Sequence, residues 1–273
     1  MSGIFVTVAP TGAESTKAHN SGIPLQPDEI AEQAVRCASA GAAMIHIHGR
    51  DKRGASTLDL GVLSAIVDEV RERTDLVIQL STGGSVHDTL DDRLRVLETE
   101  PESCSLTCGT VNFGNEVFLN PPGFIETLYR ESIERRIVPE FECFDIGHIA
   151  TLHRLLDRFG SPAGGVVHCN LVMGVPGGMP GNPETLVAAR AALPAGASWS
   201  ATGIGRSHLP VLLTTLALGG NVRVGMEDVL RYSATELVSE NVQLVTRAVE
   251  LARRAQLDIL SSTDVRMMLG VRA

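Results

Sequence analysis

The stretch Ala42-Ala43-Met44-Ile45-His46-Ile47-His48 decides the fold. It follows a segment that opens on Pro27 with Asp28 and Glu29 in its first turn. That segment carries Ile30, Ala34, Val35 and Ala38 at helical spacing and stops at Gly41. A helix therefore leads into a short run with period two. Alternation places both imidazoles on one face of a strand, and Ile45 and Ile47 on the face turned to the helices. A strand apolar toward its helices and polar on the other side belongs to an α/β protein.

Working outward, the same alternation recurs along the chain. Strands are expected over residues 4–9, 42–48, 76–80, 104–108, 137–144, 164–170, 197–201 and 221–225. Between them lie helices, one capped by Asp59, one with Leu90, Leu94 and Leu97 inward, and others over 123–135, 148–159, 184–192, 209–217 and 239–256. Eight strands alternating with helices predict a (β/α)8 TIM barrel. The competing open sheet lacks its usual mark, since no GxGxxG joins the first strand to a helix. No linker divides the chain, so residues 1–273 read as one barrel domain with a helical extension near 265–269.

Composition narrows the function. The chain is 44% hydrophobic, enough to bury a sizeable core, and its formal net charge of -9 speaks against a broad nucleic-acid footprint. No apolar run reaches the length of a membrane span, and the start lacks the basic, cleavable pattern of a signal peptide, so the cytoplasm is the expected location. The five cysteines form no CxxC pair and read as small core residues.

His46 and His48 end their strand on the face where barrels build their sites, and neutral imidazoles are natural Zn²⁺ ligands. An HxH pair needs a third ligand. Glu142, Asp145, Glu227 and Asp228 all end other strands. Glu227 is preferred because it leaves Asp228 free for proton chemistry, although sequence geometry alone does not separate the two. Ser81, Thr82, Gly83 and Gly84 form a polar cap after the third strand, able to aim hydroxyl and N–H groups at a carboxylate. The Gly/Pro-rich loop holding Gly177, Gly178 and Met179 lacks the GK[ST] ending of a phosphate loop. Gly205 and Arg206, in the GIGRSH segment, precede a helix and suit an anion.

These pieces together resemble the β-keto acid cleavage enzyme family. The match runs through TGAESTK (11–17), HIHGRD (46–51), QLSTGG (79–84), SLTCGTVNFG (105–114), PEFECFD (139–145), VMGVPGGMPGN (172–182) and GGNVRVGMEDVL (219–230). The resemblance implies a Zn²⁺ held by His46, His48 and Glu227. It implies cleavage of a β-keto acid with acetyl-CoA as co-substrate, giving acetoacetate and an exchanged acyl-CoA. Asp228 matches the family's catalytic aspartate, with Glu142 and Arg223 in its network. Ser81 and Thr107 match residues that hold the β-keto acid, Glu14 matches the group that receives a cationic tail, and the 174–181 and 203–208 loops match the coenzyme entrance. A homo-oligomer, often a tetramer, is also implied.

Two departures stand out: Gly49 replaces the usual small apolar residue of HxHxRD, and VLRYSATEL after Asp228 alters the eighth loop. Two other functions fit the same residues: a metal-dependent keto-acid aldolase or lyase without coenzyme A, and a non-catalytic metabolite-binding barrel.

Overall fold

The computed structural model describes residues 3–271. Eight parallel strands close into a barrel: β1 (Val6–Val8), β2 (Met44–Ile47), β3 (Val77–Leu80), β4 (Ser103–Thr107), β5 (Val138–Cys143), β6 (His168–Met173), β7 (Ser198–Gly203) and β8 (Asn221–Val224). Each pairs with its neighbours in chain order, and β8 pairs with β1. The expected fold is the observed one, and no helix among the described residues is long and apolar enough to cross a membrane.

Among the described residues, eight helices form the outer ring: α1 (Pro27–Ala40), α2 (Leu60–Arg73), α3 (Leu90–Arg95), α4 (Pro122–Arg135), α5 (Ile146–Phe159), α6 (Pro183–Ala192), α7 (His208–Ala217) and α8 (Asn241–Arg254); α9 (Ser262–Leu269) follows them at the far end of the barrel. Their caps follow the sequence. Asp59, Thr89 and Asn182 each accept a backbone N–H in the first turn of α2, α3 and α6.

Alternation along each strand sorts the side chains into two shells. Val6, Val8, Ile45, Ile47, Ile78 and Leu80 pack outward against α1, α2 and α8, while Leu106, Phe141, Leu171 and Ala201 pack against the helices of the other half. The inward set is polar: Thr7, His46, Gln79, Ser105, Glu140, Glu142, Asn170, Thr202 and Arg223 are all buried. Most barrels of this kind fill the interior with branched hydrocarbon. Here hydrogen bonds replace it, as in Thr202 Oγ1 donating to Asn170 Oδ1 at 2.9 Å and Gln79 Nε2 donating to Ser103 Oγ at 3.2 Å.

The far end of the barrel is apolar. Phe5, Met44, Val77 and Val138 meet Leu260, Val265, Leu269 and Val271 from the C-terminal segment, so α9 plugs the N-terminal face. The polar interior therefore opens only toward the strand C-termini.

Several boundaries differ from expectation. The sixth strand begins at His168 rather than 164, because Gly164 and Gly165 both sit at φ +80 and form a turn. Residues 4–9 divide in two, with Gly3–Ile4 leaving the barrel to pair with Asp258–Ile259. The hairpin Val111–Phe113/Glu116–Phe118 went unread, although VNFGNEVF alternates around a Gly-Asn turn.

The plug makes a stability prediction. Leu269 is 1% exposed, so Leu269→Ala should cost about 2–4 kcal/mol in chemical denaturation of the folded protein. Metal affinity at the opposite face should stay at the wild-type value, and an unaltered denaturation midpoint would show that the plug is dispensable.

Candidate active site

The site grows from β2. His46 lies on that strand and His48 one step beyond its end, and their ring centroids are 5.2 Å apart. His46 Nδ1 is 2.6 Å from Gln79 Oε1, on the neighbouring β3. An amide oxygen only accepts, so this bond fixes the proton on Nδ1 and leaves the Nε2 lone pair facing the barrel mouth. Burial, together with the nearby Arg223 charge, pushes the His46 imidazole down to about 4 and keeps it neutral.

Glu227 arrives from the loop after β8. Its backbone N–H donates to Ala9 O at 3.2 Å, and the preceding Met226 N–H donates to Asn241 Oδ1 at 2.8 Å at the start of α8. Its Oε1 lies 3.8 Å from His46 Nε2 and 3.6 Å from His48 Nε2. Its Oε2 is buried without a hydrogen-bond partner. One donor atom from each of the three residues falls within 4.8 Å of the others. Ligands about 2.0–2.2 Å from a tetrahedral Zn²⁺ lie roughly 3.3–3.5 Å from one another, so small side-chain adjustments suffice. The orphaned carboxylate oxygen and two imidazole nitrogens are a donor set that fits zinc.

Arg223, on β8 and only 4% exposed, holds the acids together. Its Nε and Nη2 donate to the two oxygens of Asp228 at 3.2 and 3.0 Å, a bidentate pair. Nη1 donates to Glu142 Oε1 at 3.0 Å, and Nη2 also reaches Glu227 Oε1. The geometry separates the two adjacent acids. Glu227 turns one oxygen to the histidines, whereas Asp228 gives both to the guanidinium.

The carboxyls titrate apart. Burial pushes Glu142 up to about 7 and Asp228 up to about 6, against the pull of Arg223. Glu227 is also raised by burial, yet Arg223 and the two histidines hold it well below the usual carboxylate range. The residue that faces the imidazoles stays ionised while its neighbours can exchange protons. Asp145, the remaining acidic candidate, caps α5 by accepting from Gly147 N–H at 2.9 Å and stands outside the cluster.

A cavity of about 250 Å³ opens above these groups. Its lining includes Glu14, Ser81, Gly83 and Gly84 as well as His46, His48, Glu142, Arg223, Glu227 and Asp228. Thr82 and Thr107 stand behind that lining: Thr82 Oγ1 donates to Ser105 O at 2.7 Å, and Thr107 Oγ1 to Glu142 Oε2 at 3.2 Å. The opposite wall is apolar, with Phe113, Phe118 and Phe144 packed edge to face at 6.3–6.4 Å and joined by Val172 and Val175. Two of those rings come from the unread hairpin.

Gly177, Gly178 and Met179 sit elsewhere. Met179 is 3% exposed in the outer core, and its N–H donates to Phe144 O at 2.7 Å. A Cβ on Gly177 or Gly178 would strike backbone oxygen of Asn112 or Phe144, so this loop packs on the hairpin and brings Val175 to the cavity. Gly205 and Arg206 line a second cavity beside the first. At Gly49, a Cβ would fall 2.6 Å from Thr57 O, so the altered HxHxRD position accommodates a close backbone approach.

Comparison with known proteins places the chain in a family. The beta-keto acid cleavage enzyme model matches residues 3–271. The chain belongs to the beta-keto acid cleavage enzyme family. It is 35% identical to the 3-keto-5-aminohexanoate cleavage enzyme of Fusobacterium nucleatum subsp. nucleatum, over 100% of this chain and 99% of that protein. It is 33% identical to the 3-dehydrocarnitine:acetyl-CoA trimethylamine transferase of Rhizobium meliloti, over 97% and 96% of the two chains. Among solved structures, apo ObcA superposes with a TM-score of 0.77 at 23% identity, covering 91% of this chain and 65% of that one, which supports the fold.

Sequence reasoning passed over Gln79 and Arg93. Gln79 lies in the QLSTGG segment, whose local pattern marks it only as a strand residue. Buried Arg93 donates to Thr82 O, Leu119 O and Asn120 Oδ1, tying the polar cap to the hairpin, and no local pattern marks it. Because Gln79 sets the His46 tautomer, Gln79→Leu should weaken zinc affinity by about 10- to 100-fold in a chelator competition, with both histidines in place. Wild-type affinity in that variant would mean that the outer hydrogen bond has no part in metal binding.

Proposed function

We propose that the protein is a zinc-dependent β-keto acid cleavage enzyme with acetyl-CoA as co-substrate. The observation that carries the reading is the meeting of His46, His48 and Glu227 with the Arg223–Asp228–Glu142 cluster in one cavity. The relatives named as cleavage enzymes and acetyl-CoA transferases give the reaction class.

The exchange balances without another reactant. In a β-keto acid R–CO–CH2–COO⁻, the bond between the ketone carbon and CH2 breaks. The CH2COO⁻ part joins the acetyl group of acetyl-CoA to give acetoacetate, and the coenzyme sulfur takes R–CO. A divalent ion held by His46, His48 and Glu227 would supply Lewis-acid polarisation of the ketone oxygen. Asp228, supported by Glu142, is the base that takes a proton from the CH2 group so that its carbon can join the acetyl group. It returns that proton to the same carbon as acetoacetate is released, and its raised affinity for protons suits both steps near neutral pH. Arg223 holds both carboxylates in register and stays positive, since its three acidic neighbours outweigh the opposing effect of burial. The Ser81 hydroxyl and the Gly83–Gly84 backbone face the substrate carboxylate, while Thr82 and Thr107 brace that arrangement from behind. Gly205 and Arg206 are assigned to the coenzyme, with Gly177, Gly178 and Met179 supporting the wall next to it.

Glu14 selects the substrate tail. It is exposed on the loop after β1 and lines the reaction cavity. A carboxylate there favours an ammonium group at the far end of a small β-keto acid, and 3-keto-5-aminohexanoate is the first compound to test. In Glu14→Gln, the ratio of kcat/KM for this cation to that for a matched neutral compound should fall about ten- to a hundredfold. An unchanged ratio would remove Glu14 from specificity.

Purified protein should carry about one Zn²⁺ per chain, lost in His46→Ala and His48→Ala, as read by elemental analysis. Asp228→Asn should retain the metal and lose about 10²-fold or more in turnover. Product analysis tests the reaction itself: acetoacetate with an exchanged acyl-CoA supports it. Cleavage without coenzyme A selects a lyase, and binding without turnover selects a non-catalytic barrel.

A further inference from the structure

Arg93 is the buried residue of the short helix α3, only 2% exposed, and the partners its guanidinium meets are neutral. Nε donates to Thr82 O at 2.8 Å, Nη1 to Leu119 O at 2.6 Å and Nη2 to Asn120 Oδ1 at 2.5 Å. Its guanidinium carbon lies 4.6 Å from the Phe118 ring centroid and 4.7 Å from that of Phe124. Burial pushes the group down to about 10, so it keeps its charge at neutral pH, and Asp88 and Glu142 favour that charge only through space. A buried cation is costly unless an acid pairs with it, as Arg223 pairs with three. Arg93 has carbonyls and rings instead, which offset only part of that cost.

The charge is aimed at the polar cap. Thr82 O, which accepts from Arg93, belongs to the same peptide unit as the Gly83 N–H, and that N–H donates to Ser81 Oγ at 3.1 Å. One lone pair of the Ser81 oxygen is thereby taken, and among the described residues its hydroxyl proton goes to no protein acceptor. Thr82 itself is fixed against β4, its N–H donating to Ser105 Oγ at 3.2 Å and its Oγ1 to Ser105 O at 2.7 Å. A cation at the carbonyl end of a peptide draws electron density from the N–H end, and hydrogen bonds in a row strengthen one another at low dielectric. Guanidinium, peptide and hydroxyl form one polarised row that ends on the Ser81 proton, and Ser81 and Gly83 line the reaction cavity.

The floor of the same cavity creates the need for such a row. Glu142, Glu227 and Asp228 stand there against Arg223 alone, so an entering carboxylate meets like charge. Arg223 is engaged by those acids, whereas Arg93 stands on the cap side with no acid of its own. We propose that Arg93 is a positioning residue for the substrate carboxylate. Acting through the Thr82–Gly83 peptide, it holds the Ser81 hydroxyl as a donor and sets an unneutralised positive charge behind the cap. This rests on the reading of Ser81 and the Gly83–Gly84 backbone as the seat of that carboxylate. Its bonds to Leu119 O and Asn120 also hold the hairpin, so charge and scaffolding are separated by substitutions that change one and keep the other.

Calorimetry on the zinc-loaded full-length protein reads the ratio of its affinities for acetoacetate and for acetoacetamide, the neutral isostere, with no turnover required. Ser81→Ala should lower that ratio about tenfold. A wild-type ratio in Ser81→Ala overturns the carboxylate seat and the proposal together. Asn120→Asp sets a carboxylate against Nη2 in place of an amide oxygen, which neutralises Arg93 while keeping its contacts. The ratio in this variant should fall about three- to tenfold, and Arg93→Gln, where it folds, should lower it about tenfold. A scaffolding role alone leaves the ratio of Asn120→Asp at the wild-type value, because the tie to the hairpin survives. That result beside a lowered ratio in Ser81→Ala overturns the part given to Arg93 and leaves the seat standing. Equal losses of both affinities in Asn120→Asp have the same meaning.

Discussion

One buried guanidinium organises this protein. Arg223 stands among Glu142, Glu227 and Asp228, and three carboxylates less one guanidinium leave a formal charge of -2 in a cavity floor with little access to water. Such an excess is costly, and it can be relieved only by protons or by a cation. The raised proton affinities of Glu142 and Asp228 are the first form of relief. A divalent ion on His46, His48 and Glu227 would be the second, with a charge that matches the deficit. The electrostatics that make a metal welcome also make the neighbouring acids competent in proton transfer.

The barrel supplies what Arg223 needs. A guanidinium this buried requires acceptors fixed from several directions, and a closed ring of strands presents β5 and β8 across a narrow interior. Below the cluster, Glu140 and His168 form another buried pair at 3.0 Å, and His168 Nδ1 contacts Ser198 Oγ at 2.9 Å. Burial raises the Glu140 carboxyl, but the His168 contact outweighs it and keeps the group ionised. Under that layer the α9 plug closes the barrel with hydrocarbon. Polar layers stacked over an apolar seal confine solvent to the mouth, and the low effective dielectric strengthens each charge contact inside.

Much of this was legible because strands have an exact side-chain period. Alternation alone paired His46 with His48 and set Ile45 and Ile47 against the helices, since a one-residue shift would have inverted both faces. The choice between Glu227 and Asp228 was another matter. They are neighbours on a loop, where no period constrains direction, and only the bidentate hold of Arg223 on Asp228 distinguishes them. Gln79 escaped notice for a related reason: its value lies in the strand beside it, which local sequence does not name. The sixth strand was placed early because Val166 and Val167 look β-forming, whereas the positive φ of Gly164 and Gly165 spends those residues on a turn. Arg93 and the Phe113–Phe118 hairpin belong to contacts that form only when loops meet above the barrel.

That division between strand and loop separates two kinds of chemical work. His46, Gln79, Glu142 and Arg223 sit on strands, locked by neighbours in the ring, and in the proposed reaction these positions would fix the geometry of bond cleavage. Glu14, Phe113, Phe118 and Val175 sit on the segments beyond, outside the pairing of the barrel strands. The family relatives carry cationic, neutral and acidic substrate tails in their names at 29–35% identity over nearly the whole chain. A strand-borne centre with exchangeable loops would accommodate such a range, because the tail extends away from the bond that breaks. In the proposed reaction the carboxylate and ketone of any β-keto acid would meet the same inner ring, whereas the tail would meet the rim. Specificity can then change by one or two rim residues while the charge balance around Arg223 stays intact.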